Sequence, residues 1–258
     1  MPITKTKETE ENKEKFEKRK EDVIKQEKNM RLGSEKVKLR EQRIRHIKAG
    51  LLIILLFLII IYFLLRIAYD SGNFTISLDE NFALKSGLIM YERLNEKDDK
   101  RQLSATRADF IDNISVNWLP SDLDSQGEGS HNGDNYFAYT FYIENKGSEV
   151  VNYWYEILVD DVIKNVDRAV RVMVIRNGEK TIYARANERT GEAEVGTTKF
   201  FSPQEVCVEG RYDFKPGDID KFTIVIFIEG DDPDCVDALI GGEMKMHMEI
   251  TEEHIAQE

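Results

Sequence analysis

The chain has 258 residues, 36 Lys/Arg against 48 Asp/Glu, and a formal net charge of −12. Two Cys and five Pro exclude a dense disulfide scaffold and a collagen-like chain, and 41% apolar residues exclude a wholly disordered one. The charge divides by segment: +6 over residues 1–48, a single Arg66 over 49–69, and −19 over 70–258.

Residues 1–48 read as a charged arm, helical in part and otherwise disordered. Phe16, Val23, Met30, Val37 and Ile44 recur every seven residues, which marks one face of a long helix. A coiled coil needs a second apolar seam three or four positions on. That seam holds Arg19, Lys20, Gln26, Glu27, Gly33, Ser34, Arg40 and Glu41. A solvated helix with a weak point at Gly33-Ser34 is therefore expected, with self-association as the alternative. The cations of residues 31–48 also suit anionic membrane lipid, at about 1 kcal/mol each near the surface. No nucleic-acid motif accompanies them, so a nucleic-acid partner is not expected.

From Ala49 to Leu65 the chain reads AGLLIILLFLIIIYFLL, and Arg66 to Tyr69 extend the stretch to 21 residues. At 1.5 Å per residue, 17 to 21 residues cover roughly 26–32 Å, the thickness of a bilayer core. Arg66 near the end can snorkel to the headgroups. As a cleaved signal peptide the segment would have a 48-residue basic region and too long an apolar one, so an uncleaved signal-anchor fits better. Arg31, Lys36, Lys38, Arg40, Arg43, Arg45 and Lys48 precede the span, whereas Asp70, Asp79 and Glu80 follow it. The positive-inside rule then predicts a single-pass cell-membrane protein, with the N-terminus cytoplasmic and residues 70–258 extracellular.

After the span the apolar period changes to two. Alternating runs are centred on Ile76, Val116, Tyr139, Tyr155, Val172, Cys207, Ile224 and Met246. Asn145-Lys146-Gly147, Asn177-Gly178 and Pro216-Gly217-Asp218 lie between runs as turns. Eight or nine short strands predict an all-β sandwich or jelly roll. Residues 82–105 lack alternation and are expected to hold a short helix or an insertion. Residues 120–135 and 187–199 read as polar loops.

Catalytic motifs are absent: the chain has no Gly-rich phosphate loop, no GxSxG and no HExxH. His131, His247 and His254 are isolated after the span, and no ligand set for zinc accompanies them. Cys207 and Cys235 are expected either to pair, worth roughly 3–4 kcal/mol, or to remain two free thiols. Glu229, Asp231, Asp232, Asp234 and Asp237 cluster around Pro233 and supply hard oxygen ligands of the kind Ca²⁺ takes. A solvated acidic loop is the alternative. Asn73 and Asn113 begin glycosylation sequons, which matter only in a eukaryotic secretory route.

Three stretches, IAYDSGNFTISLD, FYIENKGSEVVNYWYEI and FKPGDIDKFTIVIFIEGDDPDC…GGEMKMHMEI, make residues 67–258 resemble the bacterial TasA/camelysin group of secreted β-sandwich proteins. The resemblance implies a surface or matrix-building protein whose relatives polymerise by donating a strand. Camelysin-like relatives have been described as proteases, but no catalytic residue carries over. The long arm and uncleaved anchor depart from the family's secreted form. The function expected is a non-enzymatic envelope protein displaying an acidic β-sandwich to protein partners at the cell surface. A transmembrane adaptor or sensor is the alternative, and a surface metallopeptidase comes third.

Overall fold

The computed structural model describes residues 4–70, 74–106, 108 and 110–252. The chain forms two compact units, Met1–Tyr69 and Asp70–Glu258. In the first, α1 (Thr4–Asp70) is a single 67-residue helix. It runs without a break through Gly33-Ser34, the weak point expected from the sequence. The glycine costs about 1 kcal/mol in a helix interior, and the surrounding Lys, Glu, Leu and Arg are strong helix formers. Within α1, Ile44–Leu64 is long and apolar enough to cross a membrane, with a mean hydropathy of 2.9 and no part of it buried. Val23, Met30 and Ile44 of the seven-residue stripe are exposed.

The second unit is mostly β. In chain order come β1 (Thr75–Leu78), α2 (Glu80–Ser86), β2 (Leu88–Tyr91), β3 (Gln102–Ser104), β4 (Asn113–Ile114) and β5 (Gly129–Ser130). Then follow β6 (Tyr136–Asn145), β7 (Val151–Ile163), β8 (Val170–Arg176), β9 (Glu179–Ala184) and β10 (Thr198–Lys199). The last three are β11 (Glu205–Phe214), β12 (Ile219–Glu229) and β13 (Glu243–Thr251). They build two mixed sheets: a five-stranded one, β11-β7-β13-β1-β3, and an eight-stranded one, β10-β9-β8-β12-β6-β2, with β4 on β12 and β5 on β6.

Period-two alternation turns one side of each sheet to a shared core. Ile76, Tyr153, Ile157 and Met248 of the five-stranded sheet join Met90, Phe141, Val172 and Phe222 of the other in one buried cluster. Phe222 stacks on Phe141 at 5.2 Å and meets Tyr155 edge-on at 5.1 Å. Burying each such ring contributes about 1.5–3 kcal/mol.

Turn chemistry fixes register at two places. Asn177 and Gly178 both take positive φ, 52° and 87°, as a tight hairpin between β8 and β9 requires. At the Asn145-Lys146-Gly147 turn, the fully buried Asn145 side chain donates to the carbonyls of Glu149 and Phe214 and accepts the Gly147 N–H. A Cβ on Gly147 would lie 2.1 Å from the Ser86 carbonyl oxygen, so only glycine fits.

The segment 82–105 holds the remainder of α2, then β2 and β3. α2 is capped by Asp79, which accepts the Phe82 N–H at 2.6 Å. The strand expected through Ile114, Val116 and Trp118 is only β4, followed by a 3-10 turn at Val116–Trp118. β6 and β8 flank β12 on both sides, and the β6 ladder ends at Tyr136 opposite Phe227. Only Ile228 and Glu229 are left for β4 to pair with. Beyond them Ser115 accepts the Asn117 and Trp118 N–H groups, through its hydroxyl and its carbonyl respectively.

The polar loop expected over 120–135 carries one buried apolar anchor and the short β5. Leu123 packs with Tyr136, Ala138, Met173, Ile175, Val225 and Phe227 on the outer side of the eight-stranded sheet, alongside Ile114, Val116 and Leu119. This cover buries Tyr136 and Ala138 on the outer face of β6, a strand whose every residue is buried.

Candidate functional site

Acidic side chains gather where β12 ends. Turn bonds from the Asp232 N–H to the Glu229 carbonyl and from the Cys235 N–H to the Asp232 carbonyl fold residues 229–235 tightly. The five acids expected to share a cation then separate. Glu229 accepts the Val116 N–H at 3.1 Å and the Asp231 N–H at 3.2 Å. Asp231 accepts the Ser115 hydroxyl at 2.6 Å. Asp237 is exposed at the start of a 3-10 turn. Asp232 and Asp234 remain together, and Glu194, from the loop after β9, joins them with one oxygen of each residue within 4.8 Å of the others.

Sequence reasoning missed Glu194. Its loop reads as polar, but no local pattern ties it to residue 232, which lies on the distant connection between β12 and β13. The Asn187 side chain aims it, donating to Glu194 Oε1 at 2.9 Å. Asn187 Oδ1 meanwhile accepts the Arg189 and Thr190 N–H groups and shapes the loop. The trio's oxygens are hard ligands, and oxygens bound around one Ca²⁺ at 2.3–2.6 Å would lie within about 5 Å of each other. Asp232 is already committed, however. One of its oxygens takes Arg171, whose side chain is as deeply buried, and the other takes the Asp234 N–H at 2.7 Å. A cation here would rest on Glu194 and Asp234, with Asp232 shared with Arg171.

Both cysteines are free thiols, so the bridge weighed from the sequence is not formed. Cys207 faces the core from β11, where burial and the nearby Glu209 push its thiol far above the ordinary range. Burial, then Asp232, Asp112 and Glu229, push the Cys235 thiol up as well. Neither environment favours a thiolate nucleophile.

Neither His131 nor His247 belongs to the acidic trio. His131 lies against β6, its Nε2 2.9 Å from the Thr140 hydroxyl, which is itself 2.7 Å from that of Thr223. Burial and then the Lys221 charge lower its pKa. His247 is bracketed by Asp160 at 2.8 Å and Glu249 at 3.3 Å, both carboxylates near its own strand face. His254 and Asn73 lie outside the described residues.

A second set of acids, unforeseen from the sequence, pairs with tyrosines. Tyr91 donates to Glu144 at 2.9 Å, Tyr142 to Glu128 at 2.9 Å, and Tyr139 to Glu92. Lys97 completes Glu144 at 2.7 Å, and the Tyr91 and Tyr142 rings stack at 5.6 Å. These bonds fasten the 92–101 and 126–130 segments onto β6.

No family model matches the chain, and no curated protein matches it. Among solved structures it is similar to a β-glucosidase from Kluyveromyces marxianus in complex with glucose, at 12% identity and a TM-score of 0.23. That likeness covers 72% of this chain but 18% of the enzyme, and at such a score it carries no argument about fold or activity.

Proposed function

We propose that the chain is a single-pass membrane protein displaying an acidic β-sandwich outside the cell for protein–protein, adhesion or matrix contacts. One contrast carries this reading. The β unit buries most of its apolar strand side chains in two clusters, whereas no part of the apolar stretch Ile44–Leu64 is buried. Lipid is the medium that would cover such a surface. The basic flank before the span and the acidic one after it favour an N-terminus in the cytoplasm. Contacts to partners would come from the edge strands β11 and β3, whose outer sides have no neighbouring strand in the five-stranded sheet among the described residues. The 230–238 loop would add polar contacts, with Ca²⁺ held by Glu194 and Asp234.

Protease protection of intact cells tests the topology. An epitope at the C-terminus should be removed by external protease while one at the N-terminus survives; the reverse pattern would overturn the orientation.

A second reading, a transmembrane adaptor or sensor, is favoured by the unbroken helix from Thr4 to Asp70, which joins the arm to the span in one element. Deleting residues 2–40 separates the two. Retained surface contacts support display alone, and lost function with normal display supports the adaptor.

A further inference from the structure

Two kinds of contact close the outer side of the eight-stranded sheet. Leu123 and its apolar neighbours cover one part. A chain of polar side chains covers the other. His131 Nε2 stands 2.9 Å from the Thr140 hydroxyl of β6, and Thr140 stands 2.7 Å from the Thr223 hydroxyl of β12. Both threonines are fully buried. Period two puts them on the same side of the sheet as Ala138 and Val225, so the polar chain and the apolar cluster share one face.

His131 reaches this place by backbone pairing. β5 runs antiparallel to β6, with Gly129 opposite Thr140 and Ser130 opposite Tyr139, and the His131 N–H donates to the Ala138 carbonyl. The loop before β5 then folds back over the imidazole. A Cβ on Gly127 would lie 2.9 Å from His131 Cβ and 3.1 Å from its Cγ, so the glycine lets the backbone pass directly against the ring. Lys221 of β12 holds the same loop by donating to the Asp124 carbonyl.

The ring is enclosed as a neutral group. Nε2 has the Thr140 hydroxyl, whereas Nδ1 is buried without a hydrogen-bond partner among the described residues. A bare lone pair costs less there than a charged donor would. Burial is the largest influence on the imidazole and pushes its pKa down. The residue's own carbonyl offsets part of this, and the Lys221 ammonium adds to it. Carboxylates of the cover turn elsewhere. Glu128 accepts the Tyr142 hydroxyl and the Leu94 N–H, and Asp122 accepts the Gln126 side chain. Asp124 meets Lys221 through its backbone, and Asp134 is exposed and acts on Tyr136.

We propose that His131 is a pH-operated latch: when its imidazole takes a proton, residues 120–133 lift from the eight-stranded sheet and uncover Met173, Ile175, Val225 and Phe227. The direction follows from linkage. In the lifted state the ring returns to water and to a pKa of about 6.5, above its value when covered. The cover is therefore fully held above that pH. Below it, the ratio of closed to open falls by up to about tenfold per pH unit until the covered ring itself titrates.

Hydrogen–deuterium exchange on the full-length chain in detergent tests this, with rates corrected for the intrinsic effect of pH. The His131 and Gly133 N–H groups bond the Ala138 and Tyr136 carbonyls and report on the cover. Their protection should fall about fivefold to tenfold between about pH 7.5 and about pH 5.5, while that of residues 153–159 in β7 holds. His131→Gln keeps a neutral donor and cannot take the proton, so its protection should not change with pH. An unchanged parent, or an equal fall in His131→Gln, overturns the latch. Where the variant is open at both pH values, NMR of the parent with carbon-13-labelled histidine decides. The resonance missing from His131→Gln must titrate at the pH where the loss of protection levels off, and a loss that levels off elsewhere overturns the latch.

Discussion

The β unit handles its acids in two different ways. At the loop end, Asp232, Asp167 and Glu188 meet arginines, so charge is cancelled by charge. Along β2 and β6, Glu92, Glu128 and Glu144 meet tyrosine hydroxyls, and only Glu144 and Glu92 also have a lysine within 4 Å. An Arg–carboxylate pair persists at any alkaline pH a protein tolerates, because guanidinium keeps its proton. A tyrosine–carboxylate bond exists only while the phenol is protonated. The same net charge is thus held by one arrangement indifferent to alkali and by another that depends on it.

The largest expected break lies at the arginine end. Asp232→Ala leaves Arg171 buried and unpaired and should cost about 3–5 kcal/mol, read as a large fall in Tm of the full chain in detergent. Replacing both, Arg171→Met with Asp232→Leu, should recover most of that loss. A single variant with an unchanged Tm would mean that Arg171 finds another partner. At the tyrosine side, Tyr91→Phe removes one hydrogen bond to a carboxylate that keeps Lys97, with an expected loss of about 1.5–3 kcal/mol in denaturant unfolding.

pH sharpens the contrast. Burial and the bond to Glu128 push the Tyr142 phenol up to about 12. Because the folded value exceeds the unfolded one of about 10, its contribution is full below pH about 10 and is lost as pH rises toward the folded value. A Tyr142→Phe chain should show a flatter alkaline limb than the parent; parallel limbs would remove this residue from the account. Glu144 behaves oppositely. Burial opposes its charge, but hydrogen bonds from Lys97 and Tyr91 outweigh it and hold its carboxyl below the ordinary range. Its contribution is present above the unfolded pKa and is lost as pH falls through the folded one, so Lys97→Met should weaken the acid limb selectively.

The smallest effect expected is that of calcium. At tenfold the dissociation constant a bound ion adds about 1.4 kcal/mol. A rise in Tm with millimolar Ca²⁺ that Asp234→Asn abolishes would place the ion on the trio, and no rise at millimolar Ca²⁺ would remove it.

The inward faces of the long strands were legible in the sequence because period two survives wherever one side is buried. Tyr153, Tyr155 and Ile157 in β7, and Met246 and Met248 in β13, are all buried as their spacing predicts. The outer face of β6 was not legible. Its Tyr136, Ala138 and Thr140 look solvent-facing by alternation, and the distant Leu123 segment, with His131 and β5 over Thr140, makes them interior. The acid-rich loop after β12 was legible as a site of interest. Its chemistry was not, since Ser115 and Val116, Arg171, and Glu194, which decide where each carboxylate turns, come from three separate stretches of chain.

The parallel pairing of β1 with β13 has a mechanical consequence. β1 is the strand through which any pull from the helix enters the β unit, and its four residues are held by β13 on one side and β3 on the other. Force drawn along the strand loads these two ladders in shear, so their hydrogen bonds must yield together rather than open one at a time. A protein gripped at its far surface while its helix is dragged would resist at this strand. Failure there would release Thr75–Leu78 and leave β3 without its sheet partner before the remaining core bears the load.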